Sequence, residues 1–92
     1  MLKYVRRWAI SHLNNDGDRV LTLPLQGRYT WELKEHAEEW LKVMRVSMLP
    51  RMLSEKDMET LDVSEIDCHP DTLNPVSWFV TVETSGYYAI ED

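Results

Sequence analysis

Cysteine is nearly absent from this chain: Cys68 is the single one among 92 residues, so no disulfide can close within it. That excludes the disulfide framework that staples many small secreted domains, and a reducing, cytoplasmic compartment is the expectation. Glycine (three) and proline (four) are also scarce, while 43% of residues are hydrophobic and 28% charged, a composition that argues against disorder along most of the chain. Long apolar runs are missing too. After Lys3, Arg6 and Arg7 the run is only Trp8-Ala9-Ile10, short of the roughly 7–15 residues of a signal-peptide core, and no run approaches the roughly 20 residues that cross a bilayer. Neither an export signal nor a membrane partner is expected.

The most informative scarcity is that of bases in the last third. From Ser54 to Asp92, Lys56 stands alone against ten carboxylates, whereas residues 1–30 carry Lys3, Arg6, Arg7, Arg19 and Arg28 against only Asp16 and Asp18. The chain runs from +3 at the front through zero over residues 31–53 to −9 at the back, which gives the net charge of −6. A gradient of this kind steers association without choosing a fold. The isoelectric point near 4.9 speaks against direct nucleic-acid binding by the Arg6, Arg7, Arg19 and Arg28 group beside Tyr4 and Trp8, since binding domains typically lie above about 9.

What is present reads as alternating strands and helices. Residues 2–12 place Leu2, Tyr4, Arg6, Trp8 and Ile10 at a period of two, with a helix as the competing reading. Asn14-Asn15-Asp16-Gly17-Asp18 is a dense turn signal, and Val20 to Leu23 follows as a second strand of a hairpin. From Thr30 the period changes to that of a helix, about Trp31 to Met48, capped by Thr30, stopped by Pro50, and packing through Leu33, Ala37, Trp40, Leu41, Met44 and Met48. A short helix starts at Ser54, where Ser54-Glu55-Lys56-Asp57 resembles a capping box with Leu53 and Met58 as its staple. Val63 to His69 is ambiguous; Val76 to Val82 alternates as a strand, and Tyr87 to Ile90 returns beside it.

The order implies an α+β fold: a single domain over residues 1–92, with an antiparallel sheet of four or five strands and one long amphipathic helix and one short helix packed on one face. The Trp40 face of the helix is expected against the sheet face that carries Trp78 and Val80.

No catalytic set emerges. Cys68 and His69 are adjacent, so in an extended segment they point to opposite faces, and a lone cysteine reads as a small buried hydrophobe. Asp62, Glu65, Asp67, Cys68, His69 and Asp71 crowd ten residues but lack the paired Cys/His spacing of zinc and the grammar of a calcium loop, and His36 with Glu32 and Glu39 supplies one helix's worth of ligands. No metal and no cofactor is expected. Trp8, Trp31, Trp40 and Trp78 read as core area before they read as a ligand cage.

The functional expectation is a non-enzymatic interaction protein, an inhibitor or adaptor, docking on a basic protein partner through Glu55, Glu59, Asp62, Glu65, Asp67 and Asp71. A nucleic-acid-binding protein is one such partner. Two alternatives stand beside it: a nucleic-acid mimic, similar in size and charge alone to small acidic phage-encoded inhibitors of bacterial defence, and a small enzyme or enzyme subunit using Cys68 and His69. Strand carboxylates two residues apart stand roughly 6.6 Å apart, sparser than the roughly 3.4 Å axial charge spacing of a DNA strand, so a mimic needs Glu55, Glu59 and Asp62 on the same face.

Overall fold

The computed structural model describes residues 4–22, 29–77 and 79–80. Among these residues, four strands and three helices run in the order β1 (Val5–Leu13), β2 (Arg19–Leu21), β3 (Thr30–Trp31), α1 (Lys34–Arg45), α2 (Leu49–Met52), α3 (Glu55–Glu59) and β4 (Asp62–Cys68). The fold is α+β, an antiparallel sheet with the helices laid against it. The central strand is β1. Along one edge it pairs with β4 from Val5↔Cys68 to Ser11↔Asp62. Along the other it takes β3 at Trp8↔Trp31 and β2 at Ser11↔Leu21.

The hairpin expected at Asn14 to Asp18 is there, and its chemistry is local. The Asn14 side-chain oxygen accepts from the Asp16 and Asp18 amides at 2.9 Å, and Gly17 takes φ +85°, a conformation that glycine adopts at little cost. Ser54 caps α3 by accepting from the Asp57 amide, and Leu53 and Met58, the expected staple pair, each pack against the larger core.

Alternation along β1 creates two cores. On one face Ile10, with Trp8 beside it, meets Ala37, Leu41 and Met44 of α1, Leu49 of α2, and Leu61 and Val63. On the other, Ala9, Leu21, Ile66 and Cys68 form a smaller cluster covered by Val80. The expectation that the helix and Val80 share a face is therefore corrected: they pack on opposite sides of the sheet.

Other expectations also shift. The helix spans Lys34–Arg45, and Leu33, extended at φ −111° and ψ 139°, occupies its N-cap position. Thr30 does not cap it, because Thr30 is buried in β3 and accepts from Arg7. Pro50 does not end the helical region; it sits in the first turn of α2, where a missing N–H is harmless. Leu33 and Trp40 are each 49% exposed and do not belong to the core. The ambiguous Val63 to His69 stretch is strand through Cys68. Of the strand expected from Val76 to Val82, the described part makes one antiparallel bridge, Val20↔Phe79, and the Val80 amide donates to the Arg19 carbonyl. Trp78, Thr81, Val82 and the strand expected at Tyr87 to Ile90 lie outside the described residues.

Candidate functional site

Antiparallel pairing of β1 with β4 lays the basic front of the chain on its acidic back. Arg6 faces Asp67 across the pair. Its Nε donates to Asp67 Oδ1 at 2.7 Å and its Nη1 stands 3.8 Å from Glu65 Oε1. The Asp67 side chain is 7% exposed and the Glu65 side chain 43%. Glu65 and Asp67, two of the expected docking residues, are thus held by one guanidinium. Arg7, on the other face, donates to Thr30 Oγ1 and to the Thr30 carbonyl, both at 2.8 Å. Arg19 donates to Ser11 Oγ at 2.9 Å and to the Thr60 carbonyl at 3.1 Å, at the C-terminal end of α3, where a cation is favoured.

The remaining expected residues lie apart from this cluster. Glu55 and Glu59 are exposed on α3, Asp62 opens β4, and Asp71 is exposed in the following loop. Asp62 accepts from the Val63 amide at 2.8 Å. None of the four carboxylates is in an ion pair among the described residues.

Cys68 is fully buried, with 0% exposure, in the small core. Burial pushes its thiol up from 9.0 to about 11, and the nearby Asp67 charge adds to this. The Arg7 charge and a hydrogen bond with Thr30 oppose the rise. His69 is exposed and meets Tyr4 edge-on, ring centroids 5.7 Å apart. A thiol in this setting should react slowly with alkylating reagents near neutral pH, limited by opening of the fold. Its folded pKa exceeds its unfolded one, so the folded state keeps its proton longer. The contribution is complete below about pH 9 and is lost as pH climbs toward 11, on the order of 3 kcal/mol in all. Denaturant midpoints measured across that range should fall less steeply in Cys68→Ala than in the wild type; equal slopes would remove Cys68 as the cause.

Sequence reasoning missed one surface. A cleft of about 430 Å³ is lined by Tyr29, Trp31, Trp40, Val43, Met44 and Met48. The spacing of Trp40, Val43 and Ser47 put one wall within reach of sequence reading. The other wall is β3, a two-residue strand that leaves almost no periodic signal. Two of the four tryptophans considered as a cage, Trp31 and Trp40, do share this cleft, while Trp8 pairs with Trp31 across the sheet and carries Lys34 Nζ at 5.4 Å from a ring centroid.

Among the described residues no group of three or more His, Cys, Asp or Glu is placed to hold a metal, and no helix is long and apolar enough to cross a membrane. No family model, curated protein or solved structure matches the chain.

Proposed function

We propose that this chain is a small interaction protein, an inhibitor or adaptor, that holds a basic protein partner on its acidic surface. One observation carries the reading. The arginines of β1 and β2 are engaged within the sheet, whereas Glu55, Glu59, Asp62 and Asp71 stand exposed and in no ion pair among the described residues. Uncompensated carboxylates of this kind raise the encounter rate with a positive surface and disfavour a negative one. The sharing of Glu65 and Asp67 by Arg6 favours an adaptor over a nucleic-acid mimic, because it offsets one of the two charges and ties both carboxylates into the sheet, out of any free row. The buried thiol of Cys68 weighs against a cysteine nucleophile.

The test is affinity capture from the native cell at two salt concentrations. The wild type should retain basic proteins at low salt and release them at high salt. The variant with Glu55, Glu59, Asp62 and Asp71 all changed to Lys should retain none of them while keeping its circular dichroism spectrum. Unchanged capture by the folded variant would defeat the reading. Competition by duplex DNA or RNA for the same partner would move the mimic ahead of the adaptor.

A further inference from the structure

Along Val63–Glu65 the outer edge of β4 has no strand against it among the described residues. At its far end the edge is closed: Cys68 pairs with Pro75, and the Val76 amide donates to the Asp67 carbonyl at 3.0 Å, on the side away from β1. In an antiparallel ladder the N–H and C=O of one residue point to the same side, and the side alternates along the strand. Val63 and Glu65 therefore direct their backbone groups outward, as Asp67 does. The Val63 N–H is satisfied by the Asp62 carboxylate. The Val63 carbonyl and both the N–H and the C=O of Glu65 have no partner among the described residues.

Such a row of backbone groups is a template for one more strand. A cleft of about 470 Å³ opens at the start of this edge, with Leu41 and Leu61 as its apolar lining and Glu35, Glu38, Glu39 and Asp62 among its walls, against Lys42 and Arg45. Four carboxylates to two cations makes the cleft acidic. A second copy of the chain would bring the same carboxylates and its own −6 to the strand. The charge selects a basic occupant.

We infer that β4 binds a basic extended segment of a partner protein by strand addition along Val63–Glu65, with the partner's side chains entering the acidic cleft beside α1. This deepens the proposed interaction function and rests on it, since it names how the partner is held: by main-chain hydrogen bonds for affinity and carboxylates for choice.

The experiment uses an eight-residue alternating Lys-Val peptide, its Glu-Val counterpart, and two Lys-Val versions N-methylated on one hydrogen-bonding edge or the other. Binding and amide exchange are followed by NMR on the full chain. The Lys-Val peptide should slow exchange at the Glu65 amide by about tenfold or more. At least one N-methylated version should bind about tenfold more weakly than the parent, and the Glu-Val peptide should not bind. Salt-sensitive binding that ignores N-methylation and leaves Glu65 exchange unchanged would overturn strand addition while leaving the acidic-surface reading intact. A Glu65 amide already protected in the free protein would also overturn it. No binding of any basic peptide, together with loss of partner capture in the four-Lys variant, would reject the strand-addition site alone.

Discussion

Replacing Leu49 with alanine should destabilise the protein by roughly 2–5 kcal/mol, the range for truncating a fully buried leucine. Leu49 is 0% exposed and joins Ile10, Ala37, Leu41 and Met44 in the larger core. It is the buried residue of α2, a four-residue helix too short to form unaided. Leu49 is thus the fully buried anchor of the turn between α1 and α3, with Met48 and Leu53 packed against the same core on either side of α2. In a domain of this size each kcal/mol lowers the melting temperature by roughly 4–8 °C. Trp40→Ala provides the contrast, with an expected loss of only roughly 1–2 kcal/mol, because about half of the residue is already in water. Urea unfolding of both variants checks the pair. A loss below about 1 kcal/mol at Leu49 would show that α2 is not docked as described. A loss above about 3 kcal/mol at Trp40 would return that residue to the core.

The second large effect is expected at the Arg6 pair. Arg6→Asp places a third carboxylate beside Asp67 and Glu65, and it strips the cation from a side chain that is only 7% exposed. Removing a charged hydrogen-bond partner and adding a like charge should lower stability by roughly 2–4 kcal/mol. Adding Asp67→Arg to that variant restores an opposite pair in the same cross-strand position. It should recover about half of the loss or more, the signature of coupling between neighbours. Urea midpoints for the two single variants and the double variant decide the matter. Additive losses would mean that Arg6 and Asp67 do not depend on one another, and the charge gradient would then have no internal role.

The sequence made the hairpin, the α3 cap and the α+β class legible because each rests on local chemistry. Asn14 and Gly17 specify their turn whatever surrounds them, and Ser54 finds Asp57 three residues on. Thr30 and Trp31 were not legible as a strand, since a two-residue element has no period, and what holds it is Arg7, 23 residues away. The helical spacing of Leu33 and Trp40 was visible, but spacing says only that residues share a stripe. Which part of a stripe meets the sheet depends on the tilt of the helix over Ile10 and Val63. The acidic residues were legible as a set; their division into partnered and unpartnered was not, because the Arg6–Asp67 bond spans 61 residues and only the β1–β4 register reveals it.

That same register has a consequence in time. The central strand ends at Leu13 and the strand that fills its longer edge begins at Asp62, so on a ribosome adding roughly 5–20 residues per second the wait is roughly 2–10 s. During that interval β1 has β2 and then β3 along one edge and nothing along the edge that β4 will fill. Arg6 then lacks Asp67 and Glu65, and a strand edge that the finished fold closes is open to other chains. Completion of β4 is the step that brings carboxylates to Arg6, so a nascent chain that has not reached Glu65 lacks both of the acids that meet this guanidinium in the mature protein.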